Sequence, residues 1–338
     1  MENENEKLTQ ETAEKDTAAV VSAENVSAEN VSAGNVVSEN VSPGKPEKKK
    51  YKRRFGDRKD GRRVRSVSPM QRVSAYIMKT RNTSSNFFED EIDTAAIDRY
   101  VKEKKDAGRK GFNIMHVLIA SYIRAASQLP GINRFISGRE VYARNDIQIC
   151  LVIKKEMRLE EPDTAIKVHF TPEVTAEEVY DAFTKVIEDY RNNPGGGFDK
   201  TAKALAFVPG FVLRAAVKLL HWFDYIGLLP TFLTEVSPFH GSFFITSMGS
   251  LGIPPIYHHL YDFGNVPIFM SFGAKEHRYE LQADGTTAKK TFVRYTVVMD
   301  ERICDGYYYA TSLKLMNRYY KNPWLLDERP ATVVEDVP

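Results

Sequence analysis

Val297-Val298-Met299-Asp300-Glu301-Arg302-Ile303-Cys304-Asp305-Gly306 is the stretch on which the reading of this chain turns. The apolar run Thr291–Met299 reads as a core strand and ends at Asp300. A helical pattern then runs from Tyr307 to Tyr320 and stops around Asn322-Pro323. Asp300, Glu301, Arg302 and Asp305 are thereby concentrated in one strand-to-helix turn, with Gly306 read as the residue that lets the turn be tight.

Upstream, Ala283-Asp284-Gly285-Thr286 signals a hairpin between strands Tyr279–Gln282 and Thr291–Met299. Val266–Phe272 and Ser242–Thr246 are two further strands. In the first half, Ser68 and Pro69 open a helix. Phe87–Asp93 reads as a strand leading to Thr94, which starts a helix to about Lys105. Phe112–Leu129 is a helix apolar on most of its circumference. A short hairpin follows around Ser137-Gly138, then strands Asp146–Ile153 and Ile166–Thr171, and a charged amphipathic helix over Ala176–Arg191 capped by Thr175. Strands and helices mixed irregularly, without strict alternation, indicate an α/β protein of the α+β sandwich kind.

Residues 204–233 are unusually apolar, yet Arg214, Lys218 and His221 fall at i, i+4 and i+7 and give a helix one basic face. Pro209, Arg214, Lys218 and Asp224 interrupt any bilayer span. Core or subunit-contact helices, a lid over an apolar acyl pocket, and contact with a membrane interface are three readings of this segment.

With 42% hydrophobic residues the chain buries a sizeable core, but not along its whole length. Residues 1–44 lack aromatics and carry the near-repeat Val21-Ser-Ala-Glu-Asn25, Val26-Ser-Ala-Glu-Asn30, Val31-Ser-Ala-Gly-Asn35, which reads as a disordered tail. Residues 45–66 read as a basic linker: twelve Lys or Arg stand against Glu47, Asp57 and Asp60 within 45–65, a net +9 in a chain of net +2. That segment is either a solvated linker or a surface for an acidic partner, RNA or an anionic membrane. A folded domain over 67–328 and a C-terminal tail over 329–338 complete the division. Two cysteines, Cys150 and Cys304, argue for a reducing compartment rather than a disulfide framework. With no apolar leader and no transmembrane run, the expected location is the cytoplasm.

The opening stretch resembles the "Asp-His-Arg-x-x-Asp-Gly" segment of the dihydrolipoamide acyltransferases, the catalytic components of 2-oxoacid dehydrogenase complexes and relatives of chloramphenicol acetyltransferase. The resemblance spans roughly 66–328. Ser68–Met78 is similar to the family's opening helix, Pro130-Gly-Ile-Asn133 to the end of its buried helix, and Asn145–Ile149 to the strand after it. Gly241-Ser-Phe-Phe-Ile-Thr-Ser-Met-Gly249 and Val266–Ala274 resemble two later strands. It implies a chloramphenicol acetyltransferase-like mixed sheet flanked by helices, and a homotrimer or higher oligomer with sites between subunits. Coenzyme A or acyl-CoA as substrate, a small-molecule acyl acceptor and no metal are also implied. No lipoyl or subunit-binding domain precedes the domain in this sequence, which speaks against membership of a dehydrogenase complex.

By position, Thr246 stands where the family has the hydroxyl that steadies the tetrahedral oxyanion, with Ser247 its neighbour. Glu301 stands where the family has its proton-accepting His. A free Glu titrates near 4.3 and a thiol near 8.5, so proton removal is uphill by about 5.5 kcal/mol unless burial raises the carboxylate. The pair His258-His259 offers an alternative imidazole. The resemblance makes Asp305 a buried structural carboxylate with Arg72 as its positional partner, and Gly306 the turn residue. Cys304 reads as a packed small side chain rather than a nucleophile. Two functions follow: a CoA-dependent acyltransferase with Glu301 or the His pair as base, or a catalytically inactive relative that serves as a binding or assembly protein.

Overall fold

The computed structural model describes residues 51–153, 164–192 and 208–337. The tail expected over 1–44 and the start of the basic segment lie outside them. The strands are β1 (Gly61–Arg63), β2 (Ser85–Asp93), β3 (Arg134–Ser137), β4 (Glu140–Arg144), β5 (Ile147–Ile153), β6 (Thr164–Phe170), β7 (Phe243–Ser247), β8 (Ile268–Leu281) and β9 (Thr287–Asp300). The helices are α1 (Pro69–Ile77), α2 (Ala95–Asp106), α3 (Ile114–Gln128), α4 (Ala176–Asn192), α5 (Gly210–Tyr225), α6 (Thr231–Val236) and α7 (Gly306–Lys321).

Six strands form one mixed sheet in the order β2-β9-β8-β7-β5-β6. β7 runs parallel to both β5 and β8, and every other pairing is antiparallel. Alternation along the strands sends Phe243, Ile245, Met270, Tyr295, Val297 and Met299 into the main core under the helices. α3 is the central helix of that core, buried from His116 to Ser127. Its Tyr122 stacks on Phe243 at 4.3 Å. Asn113 caps the helix in a reciprocal box: its side chain accepts from Met115 N, and its own N–H donates to His116 Nδ1. The neighbouring strand positions point the other way, and Cys150, Phe244, Phe269 and Val298 form a smaller core with Leu260 and Val266.

Three expectations change. Tyr279–Gln282 and Val266–Phe272 are not separate strands: β8 is continuous, with a bulge between Phe272 and Lys275. The basic linker is in part folded, since β1 pairs with β4 and buries Arg58, a site made by contacts distant in sequence. The C-terminal tail packs as well: Asp336 pairs with Arg134 at 2.5 Å, and Val334 N donates to Ser127 O. Both segments looked like linker because they are polar; they are held by ion pairs and backbone groups, and of their described apolar side chains Val64 and Val337 alone pack on the main core.

Of the segment 204–233, residues 208–233 are described, and Leu229 is their buried apolar residue. Among its described residues α5 is mostly exposed, with Asp224 its buried residue. No helix among the described residues is long and apolar enough to cross a membrane.

Candidate functional site

The turn after β9 is organised by ion pairing. Asp300 and Arg302 are both buried, and they form a bidentate pair with Arg302 Nε–Oδ1 at 2.8 Å and Nη2–Oδ2 at 2.6 Å. Arg302 also donates to Met78 O at the end of α1. Between them Glu301 is partly exposed and is held through its backbone, whose N–H donates to Ser84 O at 2.9 Å. The turn therefore fixes its two flanking side chains inward and leaves Glu301 partly exposed between them.

The expected buried pair of Asp305 and Arg72 does not form. Asp305 is exposed and caps α7, accepting from Tyr308 N at 2.8 Å. Arg72 is exposed on α1. The residue of α1 that grips the turn is its neighbour, Gln71, whose amide donates to Arg302 O and Ile303 O. A helix rotates by about 100° per residue, so a one-residue slip in the expected register selects the wrong side chain. Gly306 is the first residue of α7, and a Cβ there would meet nothing, so no close approach requires a glycine.

Thr246 lies near the end of β7, half-buried, in register with Ser271 of β8, which is in register with Thr296 of β9. The three hydroxyls make a polar row on the face that carries Phe244, Phe269 and Val298. The segment Ile253–Leu260 crosses that row. Ile256 N–H donates to Ser271 Oγ at 3.2 Å, and Thr296 Oγ1 donates to Ile256 O at 2.6 Å. Gly273 admits the segment: a Cβ there would stand 2.6 Å from Pro255 Cδ and 2.7 Å from Pro255 N. Arg81, also buried, anchors the far end of the segment by donating to Tyr261 O and Asp262 O. Burial lowers its pKa to about 10, opposed by the Asp300 carboxylate, so it stays charged at neutral pH.

His258 lies flat on Phe269, with ring centroids 3.7 Å apart, one row from the hydroxyls on the same face. Burial lowers its pKa, and its Nδ1 is buried without a hydrogen-bond partner. His259 is exposed, with its Nδ1 3.2 Å from Leu260 O. Thr246 and His258 thus share a face, while Glu301 stands apart. Four residues of strand and one step of the turn separate Thr296 from Glu301, more than about 13 Å, and two strand spacings separate Thr296 from Thr246, roughly 10 Å. One chain does not bring the hydroxyl and the carboxylate together.

Fold comparison places this arrangement among known proteins. A probable dihydrolipoamide acetyltransferase from Listeria monocytogenes superposes with a TM-score of 0.50 at 14% identity, covering 75% of this chain and 92% of that one. A truncated catalytic core of the 2-oxoacid dehydrogenase multienzyme complex from Thermoplasma acidophilum gives 0.48 at 13%, covering 78% and 99%. A chloramphenicol acetyltransferase gives 0.43 at 12%, covering 75% and 95%. The chain has the chloramphenicol acetyltransferase-like acyltransferase fold. No protein-family model matches it, and no curated protein matches it in sequence.

The fold also holds a polar cleft of about 280 Å³ at the β5–β6 side that no motif in the sequence marks, and its walls include Arg58, Asp60, Arg144, Asp146, His169 and His240. Arg58 donates to Asp60 at 2.9 Å and to Asp224 Oδ1 at 3.0 Å. His240 Nε2 stands 3.4 Å from Asp224 Oδ2, an ion-pair distance without hydrogen-bond geometry. Burial pushes the Asp224 carboxyl up, but His240 and the Arg58 guanidinium outweigh it and hold the group at about 2. His169 bridges Asp146 and Glu235, and the Asp146 hydrogen bond raises its pKa. Thr246 and Glu301 are not among the residues that line the cleft. Arg58 was hidden because it sits in a run of cations, where one buried member carries no compositional mark.

Proposed function

We propose that the chain transfers an acyl group between coenzyme A and a small acceptor, at a site completed by a second protomer of a homotrimer or higher oligomer. The observation that carries this reading is the buried Asp300–Arg302 pair, which brackets the partly exposed residue 301 at the position where the acyltransferase signature holds its proton-accepting imidazole. The separation of Thr246 from Glu301 within one chain supports a shared site.

In this reading the acceptor's hydroxyl, amine or thiol attacks the thioester carbonyl. The Thr246 hydroxyl donates to the oxygen that becomes negative. A base removes the acceptor's proton, the tetrahedral adduct collapses, and the carbon–sulfur bond breaks. The same proton then passes to the coenzyme A thiolate, so no acyl-enzyme forms. Glu301 or His258 fills the role of base. His258 has the advantage of a ring kept neutral by its surroundings, and Glu301 that of position.

The test is release of free thiol from acetyl-CoA with alcohol, amine and dihydrolipoamide acceptors. Wild type is expected to turn over at least one of them. Thr246→Val is expected to lose about 10²–10³-fold in kcat, the scale of one oxyanion donor. Loss of turnover in Glu301→Gln or in His258→Gln identifies the base. Absence of turnover in wild type, with activity appearing in Glu301→His, overturns the reading.

That outcome would favour a second reading, an inactive acyltransferase-fold protein used for binding or assembly. It draws on two observations: a carboxylate replaces the imidazole at 301, and two of the three hydroxyls in the Thr246 row are already bonded to Ile256.

A further inference from the structure

We infer that α5 is a membrane-surface helix, lying in the plane of an anionic bilayer with its outward face in the headgroup–acyl boundary. The inference is independent of the acyl-transfer reading.

At 100° per residue, Phe211, Ala215 and Trp222 fall on one line of α5, with Leu219 beside it. This line faces away from the protein: Phe211 is 77% exposed, Trp222 56% and Leu219 52%. Arg214 and Lys218, also exposed, flank it on one side. The helix has a single acid, Asp224, and that acid is 7% exposed and committed to Arg58. Apolar exposure continues past the helix at Leu228 and Phe232. An apolar line with Trp, edged by cations and free of exposed carboxylates, matches an interface rich in anionic lipid. Charge complementarity decides against this face pairing with the same face of a second copy, because that sets Arg214 and Lys218 against the same cations with no carboxylate between them. Pairing of Asp224 with Arg58 fixes the helix to the β1 segment, so the face is held outward rather than folded back as a lid.

Flotation of the full chain tests this, using vesicles of phosphatidylcholine alone and of phosphatidylcholine with phosphatidylglycerol at 3:1. The expected result is flotation with the anionic vesicles and a blue shift of tryptophan emission that disappears in Trp222→Phe. Each cation near an anionic surface is worth about fivefold, so Arg214→Gln/Lys218→Gln is expected to weaken partitioning about 25-fold. Phe211→Ser is expected to weaken it with the far-ultraviolet circular dichroism unchanged. Failure to float overturns the inference. So does flotation that neither variant weakens, which assigns the binding to the cations of residues 45–54. A drop in oligomer mass in Phe211→Ser also overturns it and makes the face a contact between copies.

Discussion

Asp300 and Arg302 close on each other across Glu301, carboxylate to guanidinium in two parallel bonds, both nearly sealed from solvent. A buried pair of this kind is a weak source of net stability but costly to break from one side, because the survivor is left charged and unpaired. Arg302→Met is therefore expected to lower the unfolding free energy by about 3–5 kcal/mol. Asp300→Leu/Arg302→Met is expected to recover much of that loss in urea titrations while leaving the turn less ordered. Additive losses in the double variant would show that the two residues act separately.

His116 gives the fold a pH response. Burial lowers its pKa to about 4, so it is neutral in the folded chain, where its Nδ1 accepts the Asn113 N–H. The unfolded chain binds the proton near 6.5, so stability falls as pH drops from 6.5 towards 4. The size is about 3 kcal/mol across that window. His116→Gln is expected to be less stable at pH 7 but to show a flatter melting temperature between pH 7 and 4.5. An unchanged slope would remove His116 as the cause.

How much of this was legible follows from what kind of force holds each part. Elements with strong periodicity, such as α3 with its apolar circumference and β9 ending at Asp300, announced themselves in sequence. The polar–acidic turn was also visible, and its likeness to an acyltransferase signature pointed to the right fold. The site was less legible. Whether Gln71 or Arg72 faces the turn depends on a rotation that the amphipathic pattern of a nine-residue helix does not fix. Arg58 and Arg81 are buried cations paired to residues far along the chain, and no local pattern distinguishes them from solvated neighbours. The crossing of Ile253–Leu260 over the hydroxyl row rests on backbone groups and on the missing side chain of Gly273, neither of which has a sequence period.

Arg58 makes a strong prediction about where the domain begins. It donates to Asp60, to Asp224 and to Ser137, joining β1, α5 and β3. A chain started at Val67 loses β1 and leaves Asp224 without its guanidinium. It is expected to lose about 3–5 kcal/mol relative to one started at Tyr51. Arg58→Ala in the full chain is expected to reproduce most of the loss. Equal stability of the two lengths in chemical denaturation would make the basic segment a mere attachment.

The Asp224 carboxyl, held at about 2, sets a second pH window distinct from that of His116. As a carboxylate with a depressed pKa, it contributes stability that is complete above about 3.8 and is lost as pH falls towards 2, worth about 2 kcal/mol. Asp224→Asn is expected to be destabilised at pH 7 and to converge on wild type only as pH approaches 2. Parallel acid-denaturation curves for the two proteins would contradict this.

Gly273 tests the covering segment. Gly273→Ala sets a methyl against the Pro255 ring and backbone, and crowding of this kind costs about 1–3 kcal/mol. The expected sign is faster proteolytic cleavage between Ile253 and Leu260, with a melting temperature lowered by a few degrees. Unchanged cleavage would mean that the segment yields without lifting.

Cys150 and Cys304 are both sealed in apolar surroundings, where burial pushes their thiols up to about 11 and about 12. Neither carries thiolate at physiological pH, and neither meets a reagent while the chain is closed. Alkylation by a maleimide therefore times the opening of two regions, Cys150 the β5–β7 seam and Cys304 the turn beyond Glu301. The fold carries a pair of built-in stopwatches for its own breathing.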